Sequence, residues 1–265
     1  MLNLKVEKLY LISALLGLVL LLFITYPIFN SLATTNGQIL LQTIQDKEVL
    51  NAIWTSILTA TITTLIIFVF GVPFAYFLAR NDFKGKRVIE SIIDIPVVIP
   101  HTVAGIILLT VFSSKCWLGK LLENLGLEVI GTRIGIVAAM LFVSMPLLIN
   151  AAKDAFLSIS PRLENVSRTL GASHLQTFIY ITFSIGWRGI LTGMILTWAR
   201  SISEFGAVVI LTYHPMIAPT LIFDRFNTFG LEYSKPISAI LITISLIIFI
   251  ILRVIAQRGV IVDRN

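Results

Sequence analysis

The chain alternates between long apolar runs and short polar connections. Six of these runs approach or exceed the roughly 20 mainly apolar residues that a helix needs to cross a bilayer. They cover residues 9–32, 52–79, 95–113, 134–152, 185–211 and 237–255. The alternating hydrophobicity of a membrane β-barrel is absent. Because backbone groups in lipid must be hydrogen-bonded internally, the pattern predicts six transmembrane helices.

Composition supports the same fold class. Hydrophobic residues make up 57% of the chain and charged residues 13%, and the mean hydropathy is +0.94. A soluble domain carries roughly 25% charged residues, so too few polar side chains exist here to cover a water-facing surface. We therefore predict an all-α integral membrane protein with one transmembrane domain over residues 1–265, located in the plasma membrane and surrounded by lipid.

The N-terminal segment has two possible interpretations. Lys5 and Lys8 precede an apolar run, as in a secretory signal peptide. The apolar region of a signal peptide is only roughly 7–15 residues long, whereas this run continues to Leu32. The length favours a spanning helix that is retained.

Basic residues are divided unevenly between the two sides of the predicted spans. Thirteen of the 20 lie in the termini, in the second-to-third connection and in the fourth-to-fifth connection, against six on the other side. The thirteen are Lys5, Lys8, Arg80, Lys84, Lys86, Arg87, Lys153, Arg162, Arg168, Arg188, Arg253, Arg258 and Arg264. Since cytoplasmic loops carry the excess of Lys and Arg, both termini are predicted to be cytoplasmic. This topology accounts for the net charge of +6 without a nucleic-acid partner.

The connection over residues 156–184 predicts two short amphipathic helices. Ser160 can cap the first helix and Pro161 suits its first position. Gly171 can adopt the left-handed conformation that ends a helix. An apolar stripe recurs at helical spacing, formed by Leu163, Val166 and Leu170. Ser173 and Gln176 are spaced as a capping box for the second helix.

Such a helix pair could serve three purposes. It could lie on the lipid surface, or it could insert its apolar ridge into a groove on a partner protein. A DNA-binding helix-turn-helix has the same outline, but six spans and the lack of a basic recognition helix argue against it. Shape alone leaves the first two interpretations open.

The loop sequence resembles a known family. Residues 165–173 read NVSRTLGAS, and Ile181 follows Gly171 by ten positions. This looks like the cytoplasmic EAA loop of ABC importer permeases, in which Glu-Ala-Ala precedes the Gly by six positions and Leu-Pro follows the Ile. Asn165 stands here in place of the Glu, residues 166–167 replace Ala-Ala, and residues 183–184 replace Leu-Pro. Glu164 lies one position early.

The resemblance implies that this loop docks on an ATPase and transmits its closure. The residues expected to couple to the ATPase are Leu163, Glu164, Asn165, Val166, Arg168, Leu170 and Gly171. ATP and Mg²⁺ would be bound by that separate chain, since no phosphate-binding G-x-x-x-x-G-K-[ST] sequence is present here.

Other segments narrow the resemblance. Residues 80–87 (RNDFKGKR) are similar to the second cytoplasmic turn of the same family. Residues 94–105 (DIPVVIPHTVAG) resemble the third span of molybdate and tungstate permeases, and residues 199–207 (ARSISEFGA) resemble their fifth span. Sulfate permeases share a related version of the last motif.

The likeness covers roughly residues 50–258 and implies a type I ABC importer permease with no cofactor or catalytic residue of its own. The implied substrate is molybdate or tungstate, with sulfate or another oxyanion as the alternative. The implied partners are a second permease copy, two ATPase subunits and an external oxyanion-binding protein that meets residues 212–235 and the other outer loops.

Two charged residues lie inside the fifth predicted span. Arg200 and Glu204 would each cost roughly 2.5–3.5 kcal/mol at the centre of a lipid-facing helix, and their spacing of four allows them to pair. Gly189 and Gly193, with other small residues, share that sector and permit close helix approach. The pair could be an internal packing element or part of the path or gate.

In the third span, Pro100 and His101 mark irregular backbone of the kind that is tolerated where it lines a cavity. The set of pathway, gate or packing candidates is therefore Pro100, His101, Arg200, Ser201 and Glu204.

Two other function classes would require features that the sequence shows only weakly or not at all. An ion-coupled secondary transporter would need a relay of ionisable residues at mid-membrane, and Arg200 with Glu204 is the sole such set well inside a predicted span. A membrane enzyme would need a nucleophile and base, or a metal cluster, and neither is evident. The single cysteine, Cys116, has no metal-ligand spacing around it.

Overall fold

The computed structural model describes residues 2–258, and the side chains of residues 9–256 within that range. Over these residues the chain is helical and contains no strand. Four basic residues used in the charge asymmetry lie outside the described side chains: Lys5, Lys8, Arg258 and Arg264.

Thirteen α-helices and one π-helical turn follow one another along the described chain. They are α1 (Leu2–Ala33), α2 (Gly37–Gln45), α3 (Lys47–Arg80), α4 (Lys86–Val98), α5 (His101–Phe112), α6 (Trp117–Asn124), α7 (Arg133–Leu157), α8 (Pro161–Thr169), α9 (His174–Thr177), the π-helical turn Phe178–Phe183, α10 (Ser184–Ile202), α11 (Gly206–Leu211), α12 (Ala218–Phe229) and α13 (Leu231–Arg258).

Five helical stretches are long and apolar enough to cross a membrane, and a sixth span results if α4 and α5 are counted together. The five are α1 from Leu9, α3, α7, the stretch from α9 through α10, and α13. The predicted number of spans is therefore confirmed if the bent pair is one span. Most observed helices extend a few residues beyond the predicted apolar runs because polar caps, such as Asp46 before α3 and Thr132 before α7, lie outside the apolar segment.

The third predicted span, 95–113, is not one helix. It is the last four residues of α4 and all of α5, and the axes of these two helices differ in direction by 111°. Ile99 and Pro100 between them have extended backbone. Proline provides no backbone donor and disfavours helical conformation in the residue before it, so the helix ends at Val98 and restarts at His101.

The fifth predicted span, 185–211, is displaced toward the N-terminus. The helix that begins at His174 continues through the π-helical turn into α10 without interruption. The second short amphipathic helix expected after Gly171 is therefore the first turn of a span. At its other end α10 stops at Ile202, and α11 begins only at Gly206.

Helices α3, α7 and α10 form the centre of the bundle. Their contact depends on small residues. A Cβ atom built on Gly189 would lie 2.5 Å from the Cβ of Ala155, and one on Gly193 would lie 2.7 Å from the Cβ of Ala151. The small face predicted for the fifth span thus packs against α7, because only glycine lets the two backbones come this close.

Helix α1 stands apart from this centre. Its described side chains are mostly exposed, and its long-range contact is with α13. Leu9, Phe23 and Phe29 are among many large apolar side chains that it leaves uncovered. Because exposing so large an apolar surface to water is unfavourable, lipid or another protein must cover it.

Candidate functional site

The segment between α7 and α9 forms the first candidate site. Ser160 has extended backbone, and its Oγ accepts a hydrogen bond from the backbone N–H of Arg162. Gly171 has a φ of +96° and ends α8 in the left-handed conformation. The side chain of Ser173 and that of Gln176 form the reciprocal bonds of a capping box. The local structure predicted from these four residues is confirmed.

Glu164 is the one buried residue of α8, with 9% of its surface exposed. Its Oε1 accepts bonds from Nε of Arg80 at 2.8 Å and from Oγ1 of Thr182 at 2.7 Å, while Oε2 accepts one from the hydroxyl of Tyr76 at 3.2 Å. Nη2 of Arg80 also donates to the carbonyl of Ile159 at 3.1 Å. The carboxylate of Glu164 therefore ties α8 to α3 and to the π-helical turn.

The carboxylate of Glu164, a residue expected to couple to the ATPase, points into the chain and makes its hydrogen bonds there. We call the set Tyr76, Arg80, Glu164 and Thr182 the anchor cluster. Removing one charged member of such a hydrogen-bonded set would leave the opposite charge uncompensated. The anchor cluster therefore fixes the orientation of α8 relative to the bundle.

The other face of α8 carries an exposed apolar ridge. Leu163 is 48% exposed, Val166 56% and Leu170 84%. Their spacing of three and four residues aligns them along one side of the helix. We call these three side chains the ridge. Three apolar side chains this exposed, held on a helix whose opposite side is fixed, suit insertion into a groove.

Polar residues flank the ridge. Asn165 and Arg168 are both exposed, and Nη2 of Arg168 donates to Oδ1 of Asn165 at 2.7 Å. Arg168 also lies 3.5 Å from Nδ1 of His174. Both predicted contact residues are thus accessible to a partner.

The second candidate site lies where two helix breaks meet. Glu204, in the break between α10 and α11, is 1% exposed. Its Oε1 accepts a bond from the backbone N–H of Ala207 at 2.8 Å, which caps α11. Its Oε2 lies 2.8 Å from Nη2 of Arg200 and 2.8 Å from Nδ1 of His101. One buried carboxylate therefore joins the end of α10, the start of α11 and the start of α5.

The ring of His101 completes this set, which we call the break cluster (His101, Arg200 and Glu204). Nη2 of Arg200 also approaches Nε2 of His101 at 2.9 Å. The same Nη2 lies 2.6 Å from Nδ1 of His101, so one guanidinium nitrogen contacts both ring nitrogens and the carboxylate of Glu204. The predicted pairing of Arg200 with Glu204 is present, but Glu204 lies beyond the helix end instead of one turn along the same helix.

Close backbone approach holds the two breaks together. A Cβ atom on Gly206 would lie 2.7 Å from the Cβ of His101, and one on Gly105 would lie 2.9 Å from the carbonyl oxygen of Ala207. Helices α5 and α11 therefore pack with almost no space between their backbones. The break cluster is a product of this packing, and its geometry depends on both glycines.

Two other candidates occupy different settings. Ser201 is buried, and its Oγ lies 2.9 Å from that of Ser144 on α7, so it serves the contact between α10 and α7. Pro100 is exposed and forms the break that precedes α5. Neither touches the carboxylate of Glu204.

Sequence reasoning missed the partners of Glu164. Arg80 and Tyr76 lie more than eighty positions away in the chain. The sequence did indicate the orientation of Glu164 itself. In a helix of 3.6 residues per turn, Glu164 lies about 100° from Leu163 and therefore off the apolar stripe. This spacing shows that Glu164 is not part of the ridge, but it does not identify the residues that Glu164 contacts.

The opposite end of the bundle is organised by ion pairs. Arg225 on α12 contacts Glu48 and lies 3.3 Å from Oδ2 of Asp46, at the start of α3. The hydroxyl of Tyr213 donates to Asp224 at 2.6 Å, and this hydrogen bond raises the pKa of Tyr213 above its ordinary value. Within the described residues, no group of three His, Cys, Asp or Glu side chains could hold a metal ion.

Comparisons with known proteins agree with this architecture. Residues 71–260 match the family model described as binding-protein-dependent transport system inner membrane component. The chain is 47% identical over 248 residues to a molybdate/tungstate transport system permease protein of Pyrococcus abyssi, covering 92% of this chain and 94% of the relative. The corresponding protein of Methanocaldococcus jannaschii is 41% identical over 239 residues, covering 90% and 93%.

A more distant relative transports a different oxyanion. The sulfate transport system permease protein of Synechocystis is 30% identical over 206 residues, which is 76% of this chain and 72% of that protein. Among solved structures, a bacterial ABC transporter that imports the polysaccharide alginate superposes with a TM-score of 0.76 at 16% identity, covering 96% and 97% of the two chains. The methionine ABC transporter MetNI gives a TM-score of 0.62 at 14% identity, covering 82% and 96%. These likenesses show the fold of a type I ABC importer permease.

Proposed function

We propose, since this chain belongs to the binding-protein-dependent transport system inner membrane components, that it forms the translocation path for molybdate or tungstate in an ATP-driven importer. The observation that carries the substrate is identity above 40% to molybdate/tungstate permeases over nine tenths of the chain. Sulfate is the second candidate, supported by the more distant relative of Synechocystis. The whole chain acts as one transmembrane unit of the multi-pass type.

The ridge is the surface through which ATP hydrolysis on a partner subunit drives transport. An exposed row of Leu163, Val166 and Leu170 suits the groove of an ATPase subunit, which binds the ATP and Mg²⁺. Asn165 and Arg168 border that contact, and Gly171 ends the helix beside it. Glu164 couples α8 to the bundle: through the anchor cluster it transmits movement of α8 to α3.

The assembly contains two copies of this chain and two ATPase subunits. One layer of six spans is too thin to enclose a path, whereas two layers can surround one and expose it to either side in turn. An external oxyanion-binding protein contacts the end that carries α12 and the ion pairs of Arg225. The excess of basic residues on the side of α8 supports a cytoplasmic position for both termini and the ridge.

The break cluster holds the fold at the path more than it binds the anion. Glu204 neutralises Arg200, and His101 is engaged with both. A transport path must also release its anion, which argues against a tight site. If α5 and α11 move when the path changes the side to which it opens, the break cluster moves with them. It is therefore a candidate structural element of the gate.

Reconstitution tests the proposal. The permease is placed in vesicles with its ATPase and binding protein, and molybdate uptake is measured with ATP and with a non-hydrolysable analogue. We expect molybdate uptake with ATP and none with the analogue. Tungstate should compete with molybdate for uptake more strongly than sulfate does. Stronger competition by sulfate would replace the substrate assignment, and sustained uphill uptake on an ion gradient without ATPase would refute the importer mechanism.

A further inference from the structure

The structure assigns a further surface, in an inference that rests on the proposed function: we propose that the polar face of α4, with the residues of α7 that meet it, lines the water-filled cytosolic half of the translocation path. Helix α4 begins at Lys86 in a segment rich in basic residues, and so enters the bundle from the side proposed as cytoplasmic.

After its first residue, Lys86, the polar residues of α4 fall on one side of the helix. They are Arg87, Glu90, Ser91 and Asp94, a spacing of i, i+3, i+4 and i+7 that places them in one stripe. We call them the polar stripe. The opposite side holds Ile93 and Pro96, which are buried against the core around Leu148 and Ile149. The buried side fixes the rotation of α4, so the stripe cannot turn inward.

Helix α7 meets the edge of this stripe in two places. Nζ of Lys153 lies 3.1 Å from Oε1 of Glu90, and Nδ2 of Asn150 donates to Oδ1 of Asp94 at 2.7 Å. The contacts advance along α4 as they recede along α7, so the two helices run side by side in opposite directions. Asp94 is therefore one turn further into the bundle than Glu90.

Asp94 remains exposed in this position. It receives the amide of Asn150, and its remaining surface faces outward from the chain. A carboxylate facing lipid within a span would cost roughly 2.5–3.5 kcal/mol, and a neutral amide does not cancel its charge. Lipid is thus a poor neighbour for this face, whereas it suits the adjacent apolar side of α4, where Ile92 and Ile95 are exposed.

Water fits the stripe better than a dry contact with another protein. The buried centre of a protein–protein interface is depleted of charged residues, and the stripe carries Arg87, Glu90 and Asp94 along its length. Ionisable residues within a span almost always face the bundle interior or a water-filled cavity, and they mark substrate and ion paths. A carboxylate in the wall also keeps an oxyanion from binding there, which favours its release.

Thiol accessibility in the assembled transporter tests the inference. In a Cys116→Ser background, Ser91→Cys and its neighbour Ile92→Cys are compared in inside-out vesicles with a charged, membrane-impermeant thiol reagent. Both positions are exposed on α4, but they lie about 100° apart. Because such reagents need a hydrated thiolate, we expect Ser91→Cys to react about tenfold faster or more. The difference should change when a non-hydrolysable ATP analogue holds the transporter in one state.

A second pair guards against a variant that fails to assemble. Asp94→Cys and Ile95→Cys repeat the comparison one turn further along the helix. Equal rates in both pairs, or faster reaction at the isoleucine positions, would overturn the inference. Molybdate uptake by vesicles without substitutions is measured separately: uptake with no labelling difference refutes this surface alone, whereas a labelling difference without uptake refutes the substrate and leaves the surface supported.

Discussion

Glu164 and Arg80 are 84 positions apart in the chain, and their side chains meet at 2.8 Å with 12% of each exposed. Glu164 belongs to the short helix that carries the ridge, and Arg80 is the last residue of α3, the longest helix among the described residues. Because Arg80 also donates to the carbonyl of Ile159, the contact holds both ends of the turn that precedes α8. The short helix α8 is therefore connected directly to the end of α3.

We expect Glu164→Ala to destabilise the protein by about 3 kcal/mol, since it leaves the mostly buried side chain of Arg80 without an opposite charge. Thermal unfolding of the purified protein measures this. Asn165→Ala, on the exposed side of the same helix, is the control and should change stability little.

A double substitution separates the pair from general damage to α8. Glu164→Ala combined with Arg80→Ala should cost less than the sum of the two single substitutions, because the interaction is lost only once. Strict additivity would show that the two side chains do not depend on each other.

Leu170→Asp should abolish co-purification with the ATPase without changing the unfolding temperature of the permease. Leu170 is 84% exposed and therefore supports little of the fold, whereas a carboxylate in the centre of an apolar contact is strongly unfavourable. Leu121→Asp on α6 introduces the same charge at another exposed leucine, and it should leave ATPase binding intact. Loss of binding in both variants would contradict a specific role for the ridge.

Gly105→Ala should destabilise the protein by about 1–3 kcal/mol, the usual cost of overpacking. The new Cβ would meet the carbonyl oxygen of Ala207 at 2.9 Å, and this backbone atom cannot move away alone. Gly37→Ala, where a Cβ would meet nothing within 4 Å, is the matched control. If the two variants unfold at the same temperature, α5 and α11 are not packed as described.

Arg200→Ala should impair folding or assembly more than substrate affinity. It leaves the buried carboxylate of Glu204 with His101 and the backbone N–H of Ala207 but without a permanent positive charge. Yield of assembled complex and the KM for molybdate uptake are the two measurements, and Arg162→Ala, an exposed arginine on α8, is the control. Normal assembly with altered substrate preference would instead make Arg200 part of the substrate path.

The amino-acid sequence determined the features that depend on neighbours along the chain. Apolar length specified the spans, because lipid accepts only internally bonded backbone. Ser160 specified where α8 begins, Gly171 where it ends, and the capping box of Ser173 where α9 begins, because these signals act within a few residues. The apolar ridge was evident from spacing alone, and similarity of residues 165–173 and 199–207 to a known family indicated the transporter class.

Only the tertiary structure decided which residues of different helices contact one another. The burial of Glu164, the meeting of Asp94 with Asn150 and the joining of two helix breaks at Glu204 each bring together residues 18 to 103 positions apart. Whether the helix continued past Ser184, or stopped before Glu204, was also settled by neighbouring helices. A side chain's periodicity tells which side of its own helix it occupies; which helix packs against that side depends on the close approach of glycines such as Gly105 and Gly193, and no local pattern encodes that distance.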